Sequence, residues 1–444
     1  MNLTSKLLSC VILLSLGLSC QQKRSPQTKP NVLIIYADDQ GAIDLNCFGA
    51  TDLATPNIDS LVNTGVKFTQ FYGAPICSPS RAGLLTGKTP QRAGVPGNID
   101  LRPESGMPTE QYTMAEMFKD AGYKTAHIGK WHLGQRPDME PNAQGFDYSF
   151  GHMVGCIDNY SHFFYWEGPN VHNLFRNGEE VYYPGEYFPD LMVEEASNFI
   201  EENKSEPFFM YYAINTPHYP YQGDKKWLDY YKEKGVEYPR DLYAAFISTM
   251  DERIGQLIKK LDNEGLLENT IIVYQADNGY STELRAHRGG GSAGVYRGSK
   301  FSLFEGGIRV PAAISWPGQL KAGEVREQLA VNADWMPTLA ELCGINLNAS
   351  DLDGKSLVPV IHDPESKSLH EEFCWKNGRS WAARSGNWKL LKYPFIEGQK
   401  FDDKDSLFLV NLDKDPSEQT NLVDLYPEKV QELQNDYYKW LKNQ

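Results

Sequence analysis

From Asn31 onward the chain alternates short, unbroken apolar runs with longer segments of helical period. Four runs stand out: Asn31-Val-Leu-Ile-Ile-Tyr36, Lys124-Thr-Ala-His-Ile128, Pro207-Phe-Phe-Met-Tyr-Tyr-Ala-Ile214 and Thr270-Ile-Ile-Val-Tyr274. Short runs of this kind, set between helical segments, read as strands of a sheet covered on both faces. Their alternation with helices predicts an α/β fold, a large and mostly parallel sheet sandwiched by helices, over residues 31–364. Past Asp353-Gly-Lys-Ser-Leu357 the rhythm changes to short strands around 371–376, 380–384, 387–392 and 407–410, then a periodic helix from about Pro427 to Leu441. Residues 365–444 therefore read as a separate, smaller α+β unit of short strands and one helix. No internal repeat or low-complexity tract interrupts this pattern.

Each of the four runs ends in residues that carry chemistry. The first leads into Asp38 and Asp39, the second into Gly129-Lys130-Trp131-His132, the third into Asn215-Thr216-Pro217-His218, and the fourth into Asp277-Asn278-Gly279. In open α/β sheets ligands bind beyond the carboxyl ends of the strands. Singly, each piece has a plainer reading: solvated loop acids for Asp38-Asp39, a surface lysine for Lys130, structural histidines for His132 and His218. Asn278-Gly279 alone reads as a hairpin turn. The convergence on one sheet edge is what argues for a site.

The segment Ala74-Pro-Ile-Cys77-Ser-Pro79-Ser-Arg81-Ala-Gly-Leu-Leu-Thr86-Gly87 sharpens it. It resembles the signature of the formylglycine-dependent, type I sulfatases of the alkaline phosphatase superfamily, Cys-x-Pro-x-Arg followed by small residues and Thr-Gly. The resemblance extends through the Asp-Asp pair, Lys130 to His132, Thr216-Pro217-His218, Asp277-Asn278, and Gly298-Ser-Lys300 followed by Glu305-Gly-Gly-Ile-Arg309-Val-Pro311. It implies an alkaline-phosphatase-like sheet and a small C-terminal subdomain over residues 365–444, with an antiparallel sheet and a helix packed on it. It also implies a sulfuric ester hydrolase activity, and a Cα-formylglycine made from Cys77 by a sulfatase-maturing enzyme.

The resemblance also implies roles. Asp38, Asp39, Asp277 and Asn278 form an all-oxygen set suited to a hard divalent cation, calcium first and magnesium second, with residue 77 completing the coordination. A sulfuryl transition state spreads negative charge over its oxygens and calls for fixed positive charge. Arg81 would lower the pKa of the residue 77 hydroxyl, and Lys130 and Lys300 would hold the sulfate. His218 or Lys300 would protonate the departing alcohol. One hydroxyl of the aldehyde hydrate attacks sulfur and expels the alcohol. His132 then helps deprotonate the other, which collapses to the aldehyde and ejects sulfate. A phosphodiesterase or phosphonate monoester hydrolase of the same superfamily is the alternative. An inactive glycan-binding lipoprotein would require a missing nucleophile or base, and none is missing.

Composition narrows the partners. The 444 residues carry 43 Lys+Arg against 58 Asp+Glu, a net charge of −15, which disfavours nucleic acid. The seven cysteines, at positions 10, 20, 47, 77, 156, 343 and 374, are too scattered for a zinc module or a disulfide framework. Lys6, the apolar stretch Leu7–Leu18 and the small residues before Cys20 read as a secretory signal over residues 1–19. Leu16-Gly-Leu-Ser-Cys20 resembles a bacterial lipobox, so residues 20–30 are expected to tether an exported, cell-envelope lipoprotein whose only tie to a membrane is the anchor at Cys20. The dense aromatics between Phe146 and Asp190, with His152, His162 and His172, are expected to wall a sugar-binding pocket. A net-negative surface repels intact polyanions, which predicts exo-action on sulfated oligosaccharides. The family resemblance alone implies a galacto-configured sugar of carrageenan or chondroitin type.

Overall fold

The computed structural model describes residues 29–165 and 170–444. The signal and most of the tether fall outside the described residues. A ten-stranded sheet runs in the order Glu324–Arg326, Val66–Phe68, Ala312–Ser315, Thr270–Ala276, Asn31–Ala37, Phe208–Ala213, Lys124–Lys130, Tyr148–His152, Phe175–Arg176 and Glu179–Glu180. The five strands from Thr270–Ala276 to Tyr148–His152 are parallel to their neighbours in that block. Antiparallel strands flank the block: Ala312–Ser315 on one side, Phe175–Arg176 on the other. All seven residues of Asn31–Ala37 and of Thr270–Ala276 are buried, as a strand covered on both faces requires.

The helices fall into two groups. Pro56–Asn63, Phe188–Asn203 and Lys225–Glu233 pack on the long helix Arg240–Asn263; Met114–Asp120 and Trp335–Leu342 pack on Cys77–Thr86. Beyond the helix Val358–His362 a four-stranded antiparallel sheet, Glu372–Asn377, Ser380–Ser385, Trp388–Lys392 and Leu407–Asn411, carries the helix Pro427–Leu441. The small sheet docks on the large domain through one mixed apolar cluster. Tyr72, Phe304, Ile308 and Val331 meet Trp375, Leu391, Phe408 and Val410 there.

The aromatic stretch after Phe146 departs from expectation. Phe146, Phe150, Phe164, Tyr187 and Phe188 belong to the main apolar core. Among the described residues of this stretch only Met153, Val154, Gly155, Cys156 and Phe164 line the cavity described below. His152, His162 and His172 are bonded to the Val154 carbonyl, the Glu186 carbonyl and the Glu180 carboxylate. Large aromatic surfaces gain more from packing between sheet and helix than from facing water, and that burial decided their placement.

Candidate active site

The parallel strands deliver their polar ends to one edge. Asp38 is held by its backbone N–H on the Thr216 carbonyl at 3.1 Å, and Asp277 by its N–H on the Ala37 carbonyl at 2.9 Å. The Asp39 N–H donates to Asp277 Oδ1 at 3.0 Å. Asn278-Gly279 is not a hairpin tip, because Gly279 presses on the segment that follows Lys300. A Cβ there would stand 2.0 Å from the Gly306 carbonyl oxygen. One ligand atom from each of Asp38, Asp39, Cys77 and Asp277 lies within 4.8 Å of the others, and all four residues are buried.

Cys77 opens the helix Cys77–Thr86, whose ten residues are all buried and which closes on Gly87 in the left-handed region at φ 65°. Cys77 Sγ is 3.4 Å from Asp38 Oδ1 and 3.8 Å from Asp39 Oδ1. Burial pushes its thiol well up, and the carboxylates add to that while Lys130 and Lys300 oppose it. An unmodified thiol here is therefore a poor source of thiolate.

Three cations meet the three carboxylates. Lys130 Nζ donates to both Asp38 oxygens, at 2.9 and 2.7 Å. Lys300 Nζ donates to Asp39 Oδ2 at 2.7 Å and to His218 Nε2 at 3.3 Å. Arg81 reaches Asp277 Oδ2 at 2.8 Å and Asp38 Oδ1 at 3.3 Å. Burial opposes ionisation of Asp38, but Lys130, His218, Arg81 and Lys300 hold its carboxyl well below the usual range. Burial and the charge of Asp38 push Asp277 up to about 7. Two acids in one pocket are thus driven apart, as like charges in low dielectric must be.

A divalent cation fits this donor set. Asn278 donates from Nδ2 to Asp39 Oδ1 at 2.7 Å and to the Gly279 carbonyl at 2.9 Å, while its Oδ1 is buried without a hydrogen-bond partner among the described residues. An orphaned amide oxygen beside three carboxylates is the pattern of a hard-cation site, although Cys77 and His218 also stand within ligand distance of Asp39. Asp38, Asp39, Asp277 and Asn278 are the residues that would hold the ion.

The histidines stand differently. His218 bonds through Nδ1 to the Tyr219 carbonyl at 2.7 Å, which turns Nε2 to Lys300 as an acceptor. His132 bonds through Nε2 to the Ile99 carbonyl at 3.1 Å, and its buried Nδ1 has no partner among the described residues. Burial holds His132 well toward the neutral form, with Lys130 adding to the effect, and lowers His218 as well, against the opposing charge of Asp39. Asp39 and His132 also take left-handed backbone angles, φ 61° and 57°, a strain of roughly 1–3 kcal/mol each that functional sites store.

Above this floor opens a cavity of ≈ 700 Å³, within the range of small-ligand sites. Cys77, Lys130, His132, His218 and Lys300 line it. Arg81 does not. Fully buried, it braces the carboxylates and donates to the Lys130 carbonyl at 3.1 Å. Sequence reading missed Asn98, Ile99, Asp100, Arg102, Gln135, Tyr219 and Glu283, which also line the cavity. Most of these lie on loops that carry no periodic signal. Asn98 is fixed to the helix Cys77–Thr86, its Oδ1 accepting the Ser78 N–H at 3.2 Å, and this follows from no local pattern.

Comparison with known proteins agrees with the geometry. A model of the sulfatase family matches residues 30–345, and a model of the C-terminal part of N-sulphoglucosamine sulphohydrolase matches residues 294–444. The chain is similar to arylsulfatase A of Homo sapiens, 33% identical over 89% of this chain and 83% of that protein. It is 34% identical to N-acetylgalactosamine-6-sulfatase of Rattus norvegicus over 79% of this chain and 68% of that protein. Among solved structures it resembles Ps i-CgsB, with a TM-score of 0.83, 29% identity and coverage of 93% and 92% of the two chains. With match, fold and clustered polar edge in accord, the chain belongs to the sulfatase family and is a sulfuric ester hydrolase.

Proposed function

We propose that this sulfatase removes sulfate from the terminal residue of short sulfated oligosaccharides, with residue 77 matured to formylglycine and a calcium ion held by Asp38, Asp39, Asp277 and Asn278. The observation that carries the reading is the placement of Cys77 Sγ against the buried carboxylates, at the floor of a cavity whose other floor groups are two lysines and two histidines. A galacto-configured sugar is supported by the resemblance to N-acetylgalactosamine-6-sulfatases and to Ps i-CgsB, which has been solved in complex with k-i-k-neocarrahexaose.

A bound divalent cation supplies charge that polarises a sulfuryl oxygen and favours the ionised residue 77 hydroxyl. Residue 77, matured to a formylglycine hydrate, would offer one hydroxyl as the nucleophile toward sulfur and a second whose deprotonation would allow return to the aldehyde with release of sulfate. The chain's own residues do the rest. Lys130 and Lys300 bring positive charge to the sulfuryl oxygens, while Arg81, out of reach of substrate, neutralises Asp38 and Asp277 from behind. Lys300 and His218, 3.3 Å apart, hand a proton to the departing alcohol oxygen. His132, its Nε2 held by the Ile99 carbonyl, keeps Nδ1 unprotonated to accept a proton at the second step.

Export as a lipoprotein through Cys20 remains part of this proposal. It agrees with a polysaccharide-derived substrate, and no described helix is long and apolar enough to cross a membrane. The test is release of sulfate from a panel of defined sulfated mono- and oligosaccharides, with paired 4-nitrophenyl sulfate and phosphate esters alongside. The reading predicts sulfate over phosphate and chain ends over internal residues. Higher catalytic efficiency on the phosphate ester would transfer the chain to phosphoryl chemistry.

A further inference from the structure

A cavity built to receive an anion has no electrostatic use for a carboxylate in its wall, yet Glu283 lines this one. Its Oε2 stands 3.8 Å from Lys300 Nζ, a group that also contacts Asp39 and His218. Oε2 accepts from Ser281 Oγ at 2.9 Å and from Tyr219 Oη at 3.2 Å, and the Tyr219 ring lies 4.2 Å from that of His218. The Glu283 backbone is pinned as well, its carbonyl accepting the N–H groups of Ala286 and Arg288. Oε1 makes no hydrogen bond among the described residues. The carboxylate is thus fixed by one oxygen and leaves the other available within a cavity open to ligand.

A negative charge beside Lys300 weakens the hold on a sulfuryl group, so its presence needs a compensating use. Burial and the charge of Glu283 push the Glu397 carboxyl up, while Arg288 and Lys300 oppose the shift. A second anionic group on the substrate would be repelled here. Neutral donors would be welcomed, since a charged acceptor bonds a hydroxyl more strongly than a neutral one.

We propose that Glu283 is a specificity-determining residue that accepts a hydrogen bond from a ring hydroxyl near the sulfated carbon, selecting singly sulfated, hydroxyl-rich sugars over aryl sulfates and over sugars with a second anion on that face. The inference rests on the sulfatase reading above and names the side chain that would make it a carbohydrate sulfatase. A site that hydrogen-bonds a substrate hydroxyl discriminates strongly against an analogue lacking it, because a buried polar group is then left unpaired.

The experiment is a double-mutant cycle between enzyme and substrate. The matured enzyme is given 4-nitrophenyl sulfate, the monosulfated hexose it turns over fastest, and that hexose with each free ring hydroxyl replaced in turn by hydrogen. In wild type, one deoxy analogue should lose about 10- to 100-fold in kcat/KM. In Glu283→Gln and Glu283→Asp that penalty should shrink to a few-fold, and the preference for the hexose over 4-nitrophenyl sulfate should fall in step. The nitrophenyl ester shares the sulfuryl chemistry, so damage to Lys300 cancels in the ratio. A deoxy penalty equal within twofold in wild type and in whichever variant folds would overturn the proposal. So would the lack of any penalised analogue in wild type, or turnover of the aryl ester with no sulfated hexose accepted. Failure on every sulfate ester would instead sink the sulfatase reading on which the inference rests.

Discussion

Two clusters of buried charge lie on either side of the short segment from Lys300 to Glu305. On one side, Asp38, Asp39 and Asp277 meet Arg81, Lys130 and Lys300 beneath a cavity. On the other, Lys389 of the small subdomain sits 2.9 Å from Glu305 and 3.0 Å from Glu418, with both side chains and its own fully buried. Tyr72 donates to Glu305 at 2.7 Å, and Arg309 lies 3.3 Å from the same oxygen. The Glu305 N–H donates to Glu418 at 2.6 Å. In the inter-subdomain cluster Glu305 is met by Lys389, Tyr72 and Arg309. Glu418 takes the Glu305 N–H on one oxygen and keeps Oε1, 3.0 Å from Lys389 as an ion pair, without a hydrogen bond among the described residues. Phe304, Leu391, Phe408 and Val410 sheathe the whole, and none of these residues lines the cavity. The catalytic cluster keeps Asn278 Oδ1 and His132 Nδ1 unpartnered and crowds three carboxylates together. Similar residue types at similar burial are thus used oppositely, to fasten two sheets in one place and to hold unspent capacity for a cation and a substrate in the other.

The contrast is broken most severely at residue 77. Cys77→Ala should abolish turnover, by at least about a thousandfold as for other covalent nucleophiles, while the folded chain melts within a few degrees of wild type. Comparable loss of stability would show that the site is a structural cluster too.

Chelation separates the clusters next. Removal of divalent ions should inactivate reversibly, with calcium restoring turnover, and should leave the subdomain contact untouched. In chelated protein Asp277→Asn should melt no lower than wild type, since it relieves repulsion from Asp38. A marked drop in the melting temperature of that variant would mean that the carboxylates are bound chiefly to one another's cations.

The converse substitution is Lys389→Met. Stranding Glu305 and Glu418 in a dry interface should cost about 3–5 kcal/mol of stability, read by denaturant unfolding, with activity per folded molecule retained. The smallest effect is a pH dependence. Burial, opposed by Lys389 and joined by the charge of Glu305, pushes Glu418 up to about 7, above its unfolded value near about 4.3. A raised acid contributes stability that is complete below the unfolded value and lost as pH rises through the folded one. Wild type should therefore lose on the order of 1–3 kcal/mol between pH 5 and 8 relative to Glu418→Gln. A difference flat in pH would place the proton elsewhere in the cluster.

These two clusters also show what a sequence discloses. The buried strands at Asn31, Phe208 and Thr270 were legible because long apolar runs admit few other placements, that at Lys124 from its place in the same alternation, and the helix Pro427–Leu441 because its period is clean. The short strands Val66–Phe68, Ala312–Ser315 and Glu324–Arg326 at one end of the sheet were not, being too short to show any period. Asp38, Lys130, His218 and Asp277 could be gathered from their common position after strands. Glu283 could not, since nothing local says which loop will fold back over Lys300. Glu305 and Arg309 are the instructive case. They sit in a run that reads as one motif with Lys300, yet Lys300 turns to the cavity and Glu305 to the small subdomain, a division only the three-dimensional path of the chain makes visible.

The central claim is that residue 77 acts as an aldehyde and not as a thiol. Its most direct test is the mass of the peptide containing residue 77, measured across preparations of graded activity. The account predicts a species about 18 Da lighter than the cysteine form, from replacement of sulfur by oxygen with loss of two hydrogens, whose fraction rises in proportion to sulfate-releasing activity. Full activity in protein whose residue 77 is entirely unmodified cysteine would contradict it.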